Sequence, residues 1–206
     1  MKPTRYAFLL IGLALAVLTL PALQPLFRYG LTASFDGRTH LLRLAALARA
    51  VADGISLPRW LPDMQLGYGY PVFNFYPPGA YYLALLPSFF GVTLYWAYAL
   101  GFVLAILWAG VGAAILAHDL LKSHTSQYPP STLLGAALVA GVAYMYAPYL
   151  LVNVYIRGSL PEAMAQALLP WILWGSRRVL TQPRPTGYVL FTAAFLSSLA
   201  LTHSLT

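Results

Sequence analysis

The chain has no cysteine among its 206 residues. That excludes disulfide bracing, thiolate nucleophiles and Cys-ligated zinc. Charge is scarce as well. Asp, Glu, Lys and Arg together make up 8% of the residues, against about 25% in a soluble domain. A solvated surface cannot be covered with so little. What fills the space is apolar: 60% of the residues are hydrophobic, and the mean hydropathy is +0.69. The net charge of +7 comes from 12 Lys and Arg, scattered among apolar stretches. Without a basic stripe they do not suit nucleic acid; they read as topology signals and lipid headgroup contacts. Tyr outnumbers Phe, 15 to 10, which suits an interface where one end of the ring is apolar and the other wet.

These features predict an all-α, polytopic helical membrane protein. Five segments are long and apolar enough to cross: 6–27, 93–118, 132–152, 162–176 and 187–206. The first carries Lys2 and Arg5 ahead of it. It is too long for a signal-peptide core and has no clean A-x-A cleavage site. A sixth apolar piece, 78–91, reaches only about 21 Å as a helix, short of a hydrocarbon core of about 30 Å. Pro87 also interrupts it. It is expected to lie in the interface. Lys2, Arg5, Lys122, Arg177, Arg178 and Arg184 then share one side in short segments, which marks that side as cytoplasmic. A bacterial inner membrane with the N-terminus inside is the expected setting. The other face receives a long outer loop, 28–92, and a short loop near 153–161. Residues 1–206 are expected to be a single transmembrane domain, the N-terminal fragment of a larger protein, because no polar tail follows Leu205-Thr206.

The outer loop begins with a helical stretch, 36–54, rich in Ala and Leu. Asp36 is a plausible N-cap and Gly54 a plausible C-terminal glycine. Asp36, His40, Arg43 and Leu47 fall on one stripe, a carboxylate, an imidazole and a permanent cation together. Arg38 and Arg49 lie opposite, where Asp53 can pair with Arg49. Capping by Asp36 and snorkelling by Arg43 would explain the stripe without function. Residues 54–82 follow, crowded with Pro, Gly, Tyr, Phe and Trp. Rigid aromatic walls of this kind suit sugar faces or prenyl chains, and an interfacial aromatic belt is the plainer alternative. Beyond it, Arg157 and Glu162 are the only charges at their membrane edge. Glu162 opens an apolar helix, where an acid is expensive and usually functional, although the helix dipole also favours it. His203, near the end of the last span, maps to the same face.

The runs Asp36-x-x-x-His40-x-x-Arg43, Leu57-Pro58-Arg59-Trp60-Leu61-Pro62-Asp63, Gly67-Tyr68-Gly69-Tyr70-Pro71 and Phe75-Tyr76-Pro77-Pro78 resemble the GT-C superfamily of membrane glycosyltransferases. Arg157-Gly158-x-x-x-Glu162 and Thr202-His203-Ser204 extend the resemblance. It is closest to bacterial membrane proteins labelled "6-pyruvoyl-tetrahydropterin synthase-related". The soluble pterin chemistry is not implied, since that needs three clustered histidines on zinc, and His118 and His124 map to the cytoplasmic side. The resemblance implies Asp36 as the catalytic or metal-linked acid, with Glu162 and His203 completing the site. It implies His40, Arg43, Arg59, Trp60, Tyr68, Tyr70, Tyr76 and Arg157 as substrate contacts. A polyprenyl-phosphate sugar would be the donor, the acceptor stays unidentified, and membrane lipid is the remaining partner. A divalent cation held by Asp36, Glu162 and His203 is one reading of that set. A transporter or flippase for a lipid-linked substrate, or a non-catalytic scaffold, are the competing functions.

Overall fold

In a computed structural model, which describes residues 3–31, 34–124 and 128–203, the apolar runs become helices. The first, α1 (Pro3–Tyr29), tolerates Pro21 and Pro25 inside it. Next comes α2 (Gly37–Ala52), then a loop, then α3 (Gly79–Leu85) continuing as a tighter turn over Leu86–Phe90. The longest helix is α4 (Leu94–His124). It is followed by α5 (Pro130–Met145), α6 (Pro148–Val152) and a wide π-turn over Asn153–Arg157. The chain closes with α7 (Leu160–Thr181) and α8 (Thr186–Thr202). Among the described residues there is no strand, only one isolated antiparallel bridge between Leu61 and Tyr70.

Three stretches are long and apolar enough to cross a membrane: Leu9–Tyr29, Leu94–Ser123 and Pro130–Arg157. Two of the five expected spans are therefore weaker. α7 carries Glu162, Arg177 and Arg178, and α8 has only 17 residues. The expected loop at 153–161 is largely helical. Pro148 breaks α5 from α6 by forcing Ala147 out of the helical region (ψ 126°). The chain then recovers its helical path as far as Arg157. The apolar piece at 78–91 does form a short helix and turn that stop at Gly91.

Small residues let the long helices approach. A Cβ on Gly141 of α5 would lie 2.8 Å from the Gly110 carbonyl of α4. Ala105, Ala109 and Ala137 are buried at the same level. Such close backbones are how helices associate where the solvent is itself apolar. α4 is the hub, packed by α1, α2, α3, α5 and α7, while α8 leans on α7. There Trp108 stacks on Trp171 (4.6 Å between centroids) and Phe191 on Phe195 (4.3 Å). The largest buried side chains, Tyr81, Tyr98 and Phe102, sit where α3 meets α4. This places the bulky end of the core beneath α2.

α2 lies on that end because one side of it is apolar. His40, Leu44, Leu47 and Ala50 are buried, whereas Arg38 and Arg49 are exposed. Its C-terminus ends as its sequence suggests. Gly54 is left-handed (φ +86°), and the amides of Gly54 and Ile55 turn back to the carbonyls of Val51 and Ala50. Arg49, however, does not pair with Asp53. It reaches Asp63 in the following loop at 3.3 Å, because that loop folds back over the end of α2.

Candidate active site

The site starts as a backbone seam. The Phe35 and Asp36 amides donate to the carbonyls of Ile156 (3.1 Å) and Arg157 (2.8 Å). Two glycines make that approach possible. Gly158 is left-handed (φ +65°), and a Cβ on it would sit 2.9 Å from the Gly37 Cα. Tyr98 of α4 fastens the same turn from below, donating to the Gly158 carbonyl at 2.8 Å. The start of α2 is thereby pinned to the turn that carries Arg157.

Asp36 stands at the N-cap position, but its side chain makes no cap hydrogen bond. That corrects the sequence expectation and has a local cause. The seam orients the carboxylate toward Arg157, with Oδ2 3.5 Å from Nη2. Arg157 Nη1 also donates to Glu162 and, at 3.3 Å, to Asn153. The second Glu162 oxygen lies 3.6 Å from His203 Nε2. Asp36, Arg157, Glu162 and His203 thus form one polar line, drawn from α2, the π-turn, α7 and the end of α8. Glu162 is the more covered carboxylate, with 18% of its side chain exposed against 44% for Asp36. His203 was expected inside the last helix; it is the residue just after α8, in extended backbone. Its neighbour Ser204 lies outside the described residues.

Beneath the line is a second layer of rings. His40 Nδ1 is 2.5 Å from the Tyr81 hydroxyl, and Arg43 Nη1 donates to that oxygen at 3.4 Å. The Arg43 guanidinium also lies over the Tyr76 ring at 4.8 Å, within cation–π reach. Tyr76 meets His203 edge-on at 6.3 Å. Burial lowers the His40 pKa to about 4, reinforced by the Arg43 charge, so His40 is neutral at pH 7. Burial likewise raises the Tyr81 and Tyr76 hydroxyls above their usual range. The Arg43 Nε is buried with no hydrogen-bond partner among the described residues.

Four expected substrate contacts stand apart from this cluster. Arg59 Nε donates to Asn74 at 3.1 Å, and Asn74 returns a bond to the Arg59 carbonyl. Trp60 covers Gly69. Tyr68 is exposed, and Tyr70 is held by backbone bonds to Leu61. Among the described residues no hydrogen bond, ion pair or ring contact joins Arg59, Trp60, Tyr68 or Tyr70 to the Arg157 line. The reason is local. Gln65, Leu66, Gly67 and Gly69 all have positive φ, and these turns curl the loop onto itself beside α2.

The expectation of a cation held by Asp36, Glu162 and His203 does not fit this arrangement. The Arg157 guanidinium stands between the two carboxylates, where a metal would have to sit. Among the described residues no group of three His, Cys, Asp or Glu side chains is placed to hold one.

An uncharacterized protein of Lactococcus lactis subsp. cremoris (strain MG1363) is 25% identical to this chain over 205 residues. The similarity covers 100% of the chain and 32% of the relative, so the chain spans about a third of that relative's length. No family model and no solved structure matches it.

Tyr81, Asn153 and Tyr98 were not singled out from sequence. All three lie in or next to apolar runs and carry no charge, so nothing in the pattern separates them from packing residues. The Pro77-Pro78-Gly79 step just ahead of Tyr81 was the available signal, since it starts the helix that aims Tyr81 at His40.

Proposed function

We propose that this chain is the membrane-embedded catalytic part of a GT-C-type glycosyltransferase. It would transfer a sugar from a polyprenyl-phosphate donor to an acceptor hydroxyl on the outer face of a bacterial inner membrane, with all five apolar helices crossing. The observation that carries the reading is the convergence of Asp36, Arg157, Glu162 and His203 at one end of the helices, beside the Arg43–Tyr76–His40–Tyr81 layer. Sugar transfer needs two things at one place: a base for the acceptor proton and positive charge for the departing phosphate.

Asp36, the more exposed carboxylate, would take the acceptor proton as the new bond forms at the anomeric carbon. The bond from that carbon to the phosphate oxygen breaks, and the lipid phosphate leaves with the electron pair. Arg157 and Arg43 would offset its charge by hydrogen bonding as well as by field. Glu162 would hold Arg157 in place, and His203 would orient Glu162. No step needs a metal. Tyr76, the ring of the aromatic loop that reaches Arg43 and His203, would give the sugar or the acceptor an aromatic wall.

The test is sugar transfer from a labelled polyprenyl-phosphate donor in membranes holding the full-length protein. Asp36→Asn should lower transfer by about a hundredfold or more, the scale of general acid–base catalysis. Asp53→Asn, on the exposed far end of the same helix, should change it little. Equal losses would mean damage to α2 rather than to chemistry. If lipid-linked substrate crosses the membrane while no transfer occurs in the unmutated protein, a transporter replaces the enzyme.

A further inference from the structure

The end of the helix bundle opposite the Arg157 line holds a cavity of about 850 Å³ between α1, α4 and α7. That is within the range of about 300–1,000 Å³ typical of ligand sites. Its walls are apolar: Leu9, Gly12 and Leu15 from α1, Ala114 and Ile115 from α4, and Trp174 from α7. Its mouth is polar, with His118, Asp119, Lys122 and Arg178 at one end. Nothing in the glycosyl-transfer reading uses this place.

The charge of the mouth is settled by its ion pairs. Asp119 is buried and shared by two guanidiniums: Arg177 pairs with one of its oxygens and Arg178 with the other, at 2.5 Å. One acid therefore faces three cations, counting Lys122. Lys122 is exposed and makes no ion pair with an acid among the described residues. A region with surplus positive charge above an apolar trough is complementary to an amphiphile with an anionic head and a hydrocarbon tail. A free anion would satisfy only the mouth. It would leave the apolar walls without neighbouring atoms, which forfeits their dispersion contacts. α1 forms one side of the trough and presents Leu10 and Leu13 outward, 65% and 64% exposed, so a chain from the surrounding bilayer can reach it.

We propose that this cavity binds an anionic phospholipid, its phosphate head at Lys122 and Arg178 and one acyl chain along Leu9, Gly12 and Leu15. Basic pockets between membrane helices take anionic headgroups in this way. The site would sit in the leaflet facing away from the candidate active site and anchor α1, whose apolar stretch is less enclosed than that of α4.

Gly12 supplies a direct probe, because a Cβ built there meets no atom within 4 Å. Gly12→Phe would place a ring in the trough that Gly12 lines. The experiment places full-length protein in nanodiscs of phosphatidylcholine with a minor share of phosphatidylglycerol. The lipids that stay bound after detergent extraction are then weighed by native mass spectrometry. Phosphatidylglycerol should be retained in excess of its share. Lys122→Gln should lower that retention by roughly fivefold, the scale of one basic residue beside anionic lipid, and Gly12→Phe should abolish it. Arg38→Gln, an equal charge change on the exposed side of α2, should leave it unchanged. Equal retention of both lipids overturns the proposal, as does equal loss in Lys122→Gln and Arg38→Gln. Displacement of phosphatidylglycerol by inorganic phosphate would make this an anion site without a tail. If Gly12→Phe fails to accumulate, Lys122→Gln against Arg38→Gln decides alone.

Discussion

Arg157 holds two carboxylates of different exposure, and the two pairs should differ in strength. The perturbation is Arg157→Gln, combined in double-mutant cycles with Glu162→Gln and with Asp36→Asn. Removing one partner of a fully buried pair costs about 3–5 kcal/mol, and breaking an exposed pair about 0–1 kcal/mol. Arg157 and Glu162 have 36% and 18% of their side chains exposed, so the loss of Arg157 should fall between these limits, at about 2 kcal/mol. Most of that is the cost of leaving Glu162 covered with His203 as its remaining partner. Thermal unfolding of the full-length protein in detergent should begin at a lower temperature, by less than the ~2–4 °C per kcal/mol of a chain of about 150–250 residues. Arg157→Gln with Glu162→Gln should recover part of the loss, giving a coupling of about 1–2 kcal/mol. The Asp36 pair, at 3.5 Å and 44% exposed on the carboxylate side, should couple by less than about 1 kcal/mol and weaken further in salt. Strict additivity of Arg157→Gln and Glu162→Gln would refute the polar line as described. A stronger coupling to Asp36 than to Glu162 would refute the assignment of burial.

Two further outcomes follow from local geometry. Gly158→Ala and Gly54→Ala both place a Cβ on a left-handed residue, at about 1–2 kcal/mol each. Only Gly158 adds a collision, with Ser34 and the Gly37 Cα, so its thermal loss should clearly exceed that of Gly54→Ala; equal losses would show that the seam gives way. His40 is buried with its pKa lowered from 6.5 to about 4. Its unfolded form binds a proton that the folded form refuses between those values. Stability should therefore be full above about pH 6.5 and fall as pH drops toward 4, by up to about 3 kcal/mol. His40→Gln should flatten that part of the melting-temperature profile, and an imidazole proton resonance titrating near 6.5 for His40 would overturn the assignment.

Composition and periodicity were enough for the helices. An apolar run of twenty or more residues has few ways to satisfy its backbone in a membrane except as a helix. The break before α3 and the stop at Gly54 were legible because Pro and Gly act through their own φ angles. Charge placement put Asp36, His40, Arg157, Glu162 and His203 on one face, since alternating spans fix which ends coincide. The partners along that face were not legible. Asp36 reads as a cap by position. Its carboxylate is turned to Arg157 only because residues distant in the chain, Phe35 with Ile156 and Asp36 with Arg157, share backbone bonds. Arg49 chose Asp63 over the nearer Asp53 because the loop returns over α2. The curl at residues 65–69 removed Arg59, Trp60, Tyr68 and Tyr70 from the cluster. Tyr81 and Asp119 acquire their roles from what packs against them, and an uncharged ring or a lone acid in an apolar run carries no mark of its future neighbour. Local chemistry fixed the elements and the face they share. The pairing of groups across that face came from the seam and the loop, which only the folded chain brings together.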